Sequence, residues 1–432
     1  MNFTISRAGS LTMNAQRPLF LLCFVALMIT GCSEPTRPIR VVGAANLAQD
    51  RAAADDDNGQ VVTIDHQVPH VSTVPANAGE EVRLFVRERV RSDIGDGKPR
   101  EAVLMIHGRS VPVLAGMELE YGDYDWALWL ARAGGFDVFM LDFQGSGRSP
   151  RPRMDDPCNT PTAQQKSLLI PNPLGATCPH SYSSTLNTTA SDLDELDTVV
   201  DYIRRLRGVD KVHLVGWSQA SFRIGPYAVQ HADKVASLFF FAPIFNPAFT
   251  QTPKPSEPTP MTLTTRADLF TTNSSTTGWS TCEDQREPGI EDIVWAAIMD
   301  NDALGRTWGP PPAGAPEGSP AEGVMRVRQA ILSGWNAGVA SQLTVPTLII
   351  RGEFDTGLGG RQDVAQLYGL IQNDNKLRFT VECGGHFMVW EKEHWILQQI
   401  SKEWIKHGRV GGFDHGEFLV DKNGNLTPES TP

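Results

Sequence analysis

The chain has 432 residues, of which 41% are hydrophobic and 20% charged, a balance that fits a globular protein and excludes a disordered or fibrous one. Acids outnumber bases, 50 against 38, for a formal net charge of -12. An acidic chain repels phosphate backbones, so no nucleic-acid partner is expected.

The N-terminus reads as a targeting segment. Arg7 and Arg17 precede an apolar run over residues 18–29. That run is shorter than the roughly 20 apolar residues of a membrane-spanning helix and suits a signal peptide. It ends in Ile29-Thr30-Gly31-Cys32, which resembles the lipobox of bacterial lipoproteins. The resemblance implies cleavage before Cys32 and lipidation of that residue. Ser33, where an Asp would retain the protein at the inner membrane, implies export to the outer membrane or periplasm of a Gram-negative envelope. Residues 1–31 are thus expected to be signal peptide and 32–66, rich in Ala, Asp, Asn, Gln and Arg, a flexible tether.

Cysteine usage agrees with export. Of 6 Cys, Cys23 leaves with the signal and Cys32 carries lipid, which leaves Cys158, Cys178, Cys282 and Cys383. An even number in an oxidising compartment suggests two disulfides, with three possible connectivities. Cys158–Cys178 closes a local Pro-rich loop and leaves Cys282 with Cys383. Free buried thiols are the alternative, above all for Cys383 beside an apolar strand.

Along the chain, the partial alternation over 82–90 predicts a strand in an edge hairpin. Short apolar runs then alternate with helical stretches. Strands are expected over 102–106, 136–141, 212–215, 235–241, 347–350 and 377–381. Helices are expected over 126–133, 191–206 and 219–231, the second begun by Ser191 as a cap with Glu195 in its first turns. This order predicts an α/β fold, a mainly parallel sheet covered by helices on both faces. The core falls in two parts, 67–242 and 346–408, and 409–432 is expected to be a C-terminal tail. Two stretches break the alternation. Residues 150–185 form a long loop, which at such length needs a function or a staple. Residues 243–345 form a Pro-rich insertion, expected to cap the active site. Its Trp279, Trp295, Trp308 and Trp335 are expected to line an apolar pocket or to fill the cap's own core.

The chemistry centres on Gly216-Trp217-Ser218-Gln219-Ala220, directly after a strand and at the start of a helix. That context suits a nucleophile elbow, a sharp turn that holds a Ser hydroxyl clear of the backbone. The pattern departs from G-x-S-x-G by one methyl, at Ala220. A Ser hydroxyl needs a base, and His386, in Cys383-Gly384-Gly385-His386-Phe387 after the last predicted core strand, is the candidate. The base needs an acid to fix its tautomer, and Asp355 follows the strand at 347–350, with Glu353 as runner-up. The oxyanion hole is expected from the N–H groups of Gln219 and Arg109, with Ser110 as alternative to the latter and His107 ordering the loop. Trp217 is a candidate substrate contact.

Five features in order, His107-Gly108, the Asp142-to-Ser149 turn, Ser218, Asp355 and His386, resemble the α/β-hydrolase superfamily over about residues 80–408. The resemblance implies the α/β-hydrolase fold with an inserted cap and a structural role for the 142–149 turn. Family members that open epoxides or remove halogens carry Asp at the elbow, so Ser218 implies acyl chemistry. The expected activity is a carboxylesterase acting on a small-molecule ester or lactone, hydrophobic or aromatic, through an acyl-enzyme. Alternatives are carbon–carbon bond hydrolysis or acyl transfer on the same triad, or a non-catalytic envelope lipoprotein that binds ligands. No metal cluster, phosphate loop or dinucleotide fingerprint stands out, so no cofactor is expected. Membrane association is expected through Cys32 alone, and the sequence does not specify an oligomeric state.

Overall fold

A computed structural model of the chain describes residues 46–48, 51, 59–93, 100–357 and 361–429. The expected signal peptide, Cys32 and most of the expected tether lie outside these residues. The described residues form one compact unit.

The strands in chain order are β1 (Val61–Val71), β2 (Glu81–Arg91), β3 (Ala102–Ile106), β4 (Asp137–Leu141), β5 (Asn187–Thr188), β6 (Val212–Trp217) and β7 (Val235–Phe241). There follow β8 (Met261–Thr264), β9 (Met325–Arg328), β10 (Ala330–Ile331), β11 (Thr347–Gly352), β12 (Lys376–Val381), β13 (Gly416–Val420) and β14 (Leu426–Pro428). Ten of them make one sheet in the order β1-β2-β4-β3-β6-β7-β11-β12-β13-β14. From β4 to β13 every pairing is parallel. The antiparallel β1–β2 hairpin and β14 close the two edges. The mainly parallel sheet is the one the alternating pattern predicts.

Parallel strands covered on both faces must be apolar on both. In β3 every residue is buried. Val103 and Met105 join Ile396, Leu397 and Trp404 of the helix His394–His407 on one face. Ala102, Leu104 and Ile106 join Leu196, Val199 and Ile203 of the helix Thr189–Arg207 on the other. That second helix begins earlier than expected. Thr188 is its N-cap and Ser191 the reciprocal partner in a capping box, because Thr188 takes the extended backbone that a cap requires.

Two segment boundaries need correction. The sheet starts at Val61, inside the expected tether. Residues 409–432, expected to be a tail, instead supply β13 and β14, with Phe418 and Val420 buried against the core. A segment of five residues with a short apolar alternation gives a weak signal alone; pairing with β12 is what makes it a strand.

The two insertions are one structure. Gln164 of the 150–185 loop exchanges two 2.8 Å hydrogen bonds with the backbone of Leu263 in β8. Met154 and Leu169 share a small core with Met261, Leu263 and Trp308. Disulfides Cys158–Cys178 and Cys282–Cys383 both form. The first staples the loop; the second ties the cap to the segment just before His386. The cap docks on the core through buried charge: Arg328 of β9 grips Asp192 at 2.9 and 3.0 Å, while Arg223 holds the same carboxylate at 2.7 Å. Among the described residues no helix is long and apolar enough to cross a membrane.

Candidate active site

The site gathers at the carboxyl ends of adjacent parallel strands, where ligands of open α/β sheets bind. Ser218 directly follows β6, and its φ of 56° places it in the left-handed region, a sharp turn that non-glycine residues seldom adopt. The turn needs closeness on both sides. A Cβ on Gly216 would lie 2.6 Å from Ile224 and 3.0 Å from Ala220. Gly is therefore required before the Ser, while the methyl of Ala220 occupies the room that Gly216 leaves. The familiar second glycine is dispensable here for that reason.

Asp355 follows β11 and His386 follows β12, the neighbouring strand. The two loops meet where a Cβ on Gly352 would lie 2.2 Å from the Gly384 carbonyl oxygen, so the approach depends on glycine. His386 Nε2 lies 2.8 Å from Ser218 Oγ, and His386 Nδ1 lies 2.9 Å from Asp355 Oδ2. All three residues are buried. The acid nominated second, Glu353, is exposed and accepts from the Cys383 backbone N–H at 3.2 Å, away from the imidazole.

The imidazole loop is held from three sides. The Thr277 carbonyl of the cap accepts the His386 N–H at 2.6 Å. The Trp217 indole N–H donates to the His386 carbonyl at 3.0 Å. The Gly385 N–H donates to Glu391 Oε2 at 2.7 Å. Burial, which disfavours the charged form, drives the Glu391 carboxyl well above the usual carboxylate range. The sequence reading missed Glu391, which stands between the apolar run Phe387–Trp390 and the charged pair Lys392-Glu393 and belongs to no motif.

The loop after β3 leans on the elbow: a Cβ on Gly108 would lie 3.3 Å from the Ser218 Cβ. Burial, then the charges of Arg223 and Arg328, holds the His107 imidazole well below its usual pKa. Its Nε2 accepts from the Phe143 N–H, which leaves Nδ1 to donate to the Gly108 carbonyl at 2.6 Å. His107 orders the loop, as expected. Arg109, the residue after Gly108, lines the same cavity as Ser218. Gln219 is the second residue of the helical turn Ser218–Ala220, in the first turn, where N–H groups have no partner within the helix. Ser110 instead receives the Arg328 N–H on its hydroxyl at 3.2 Å, which joins this loop to the cap.

The 142–149 turn is structural. Asp142 accepts from the Val113 and Arg148 N–H groups at 2.8 and 2.9 Å. Glu195 points inward and accepts from the backbone and side chain of Gln144 at 3.0 and 2.8 Å.

A cavity of about 520 Å³ opens above Ser218 and His386. Val111, Ile244, Leu263, Leu269, Met325 and Val327 supply its apolar wall. Trp217 lines it too, although the ring is 1% exposed and its N–H is committed to His386. The expectation that the cap tryptophans line the pocket is not met. Trp279 and Trp295 lie in the core, their indole N–H groups on Glu291 and the Glu322 carbonyl at 2.9 Å each. Trp335 wedges against Gly225 and stacks on Phe240, and Trp308 fills the small cap core. Large rings were needed to build the cap, and aliphatic residues of its strands face the cavity. Among the described residues no group of three or more His, Cys, Asp or Glu is placed to hold a metal.

A serine hydrolase from the polyaromatic hydrocarbon-degrading bacterium Cycloclasticus zankles superposes with a TM-score of 0.46 at 13% identity, over 82% of this chain and 100% of that one. A thermophilic esterase from Thermogutta terrifontis gives 0.45 at 15% identity, over 80% of this chain and 99% of that one. A meta-cleavage product hydrolase from Pseudomonas fluorescens gives 0.44 at 15%, with the same coverages. A search of curated proteins returned no match. The sequence model of the family described as alpha/beta hydrolase fold matches residues 101–393, more than half of the chain and every site residue above, and the chain belongs to that family.

Proposed function

We propose that this chain is a serine carboxylesterase that cleaves an ester or lactone of a hydrophobic or aromatic small molecule. The observation that carries the reading is the hydrogen-bonded series Ser218–His386–Asp355, at 2.8 and 2.9 Å, on the floor of an apolar cavity. His386 Nε2 takes the Ser218 proton as Oγ attacks the carbonyl carbon. Asp355 holds Nδ1–H and stabilises the imidazolium. The backbone N–H groups of Gln219 and Arg109 receive the oxyanion. His386 returns the proton to the leaving alkoxide, which departs as an alcohol and leaves an acyl-Ser218. Water, deprotonated by His386, then attacks the acyl carbon; the acid is released and Oγ regains its proton. Carbon–carbon hydrolysis on the same residues is the second reading, since the same oxyanion chemistry serves a ketone carbonyl.

The apolar preference rests on the aliphatic wall of the cavity and no longer on the cap tryptophans. A panel of esters graded by acyl length and aromatic character, with a Ser218→Ala control, tests the reading. Turnover that survives Ser218→Ala unchanged contradicts it.

Export and lipidation at Cys32 belong to the same reading. They are supported by the sequence around Cys32 and by two disulfides, which persist mainly in oxidising compartments. Fractionation tests this: Cys32→Ser is expected to move the protein from the membrane to the soluble envelope fraction. Equal membrane recovery of both forms contradicts it.

A further inference from the structure

Arginines of this chain are generally paired with carboxylates. Arg87 and Arg89 share Glu118, Arg223 and Arg328 share Asp192, and Arg326 holds Asp302. Arg109, like the exposed Arg83 and Arg205, has no ion pair and no side-chain hydrogen bond among the described residues. Unlike those two, it stands in the wall of the cavity that Ser218 also lines.

Two facts about its surroundings fit together. Arg109 is solvent-exposed, while Gly108 and Ser110 on either side are buried. Crowding by protein atoms nevertheless lowers its pKa by desolvation, with no neighbouring charge contributing. Both hold when the water it meets is the water of the cavity. A guanidinium partly stripped of bulk solvent, with no carboxylate beside it, is a charge awaiting a counter-ion. The one acid in the cavity wall, Asp268, is engaged elsewhere: its Oδ2 accepts from the Thr265 hydroxyl and N–H at 2.8 and 3.2 Å. His386, the other titratable group, is committed to Asp355 and Ser218.

We propose that the Arg109 guanidinium receives a carboxylate carried by the substrate, remote from the scissile bond, so that the preferred substrates are half-esters of dicarboxylic acids with an apolar spacer. The planar fork of Arg matches a carboxylate with two parallel hydrogen bonds. The spacer would lie along Leu263, Leu269, Met325 and Val327, which share the cavity. The inference rests on the esterase reading and names its substrate class. It concerns the side chain of Arg109, whereas the oxyanion role concerns its backbone N–H.

The test uses 4-nitrophenyl half-esters of straight-chain dicarboxylic acids from adipic to sebacic. Each is paired with its neutral counterpart, in which the far carboxylate is methylated, and 4-nitrophenolate release is followed. For the best chain length, wild-type kcat/KM is expected to favour the anionic ester about tenfold or more at low salt, as charge-assisted pairing allows. That preference is expected to fall to about one in Arg109→Gln and to reverse in Arg109→Glu, by the same loss and inversion of charge. A wild-type preference for the neutral ester at every length overturns the proposal without any variant. So does a ratio unchanged in Arg109→Gln. If neutral esters are cleaved in a Ser218-dependent manner with no charge preference, only the carboxylate proposal falls. If no ester shows Ser218-dependent turnover, the esterase reading falls with it.

Discussion

Trp217 and His386 are joined across the site: the indole N–H of the residue before the elbow Ser donates to the backbone carbonyl of the imidazole residue at 3.0 Å. The same ring stacks on Phe241 and meets Phe387 and Trp390 edge-on. Trp217 therefore sets the spacing between the two loops that carry the candidate nucleophile and base. Trp217→Phe keeps an aromatic ring but leaves the His386 carbonyl buried without this donor. Such a loss costs about 1–3 kcal/mol of stability. Displacing a reacting group by about 1 Å can cost as much as about 100-fold in rate. Ester kinetics beside urea unfolding are expected to show kcat lowered about 10- to 100-fold and KM changed less, since Val111, Ile244, Leu263, Leu269, Met325 and Val327 of the cavity wall are untouched.

Glu195 gives the molecule a pH dependence of its own. The residue is fully buried, and desolvation first, then the nearby Asp192 charge, pushes its carboxyl up to about 7. A carboxyl whose pKa is higher folded than unfolded binds more protons in the folded state. Its contribution is therefore complete below the unfolded value of about 4.3 and is lost as pH rises through about 7. The span corresponds to roughly 3–4 kcal/mol at most. Glu195→Gln retains an acceptor for Gln144 and cannot titrate. Chemical denaturation from pH 4 to 8 should show a shallower fall in stability with rising pH for the variant than for wild type.

The Cys282–Cys383 bridge closes a sequence separation of 101 residues and ends close to His386, whereas Cys158–Cys178 spans only 20. Chain-entropy reasoning gives about 4.7 kcal/mol for the longer loop and about 3 kcal/mol for the shorter. Cys282→Ser with Cys383→Ser is accordingly expected to lower Tm more than Cys158→Ser with Cys178→Ser. It should also lower kcat at temperatures where both variants are folded. Thermal melts and ester assays of the two double variants check this, and an equal effect on kcat would separate the long bridge from the site.

The convergence of the candidate site residues was more legible in the sequence than the packing of the cap. Ser218, Asp355 and His386 could be read because each follows a run of buried strand residues, and a parallel sheet forces the ends of such runs to one edge. Gly216 and Gly352 mark the two close approaches that the site requires. The roles of the cap tryptophans could not be read, because an indole in a core and an indole in a pocket look the same until neighbours are known. Glu391 was equally silent: its partner is a backbone N–H, which leaves no trace in side-chain patterns. β13 escaped notice because five residues have little local preference and take their conformation from β12.

The central claim is that Ser218 is an activated nucleophile. A fluorophosphonate probe followed by intact-mass and peptide analysis tests it most directly, since it needs no knowledge of the substrate. The expected result is one phosphonyl adduct per chain, located on Ser218. The adduct should be absent in Ser218→Ala and form on the order of 10³- to 10⁴-fold more slowly in Asp355→Asn, where the imidazole loses its orienting acid. An unlabelled wild-type chain, or an adduct that persists in Ser218→Ala, would contradict the account.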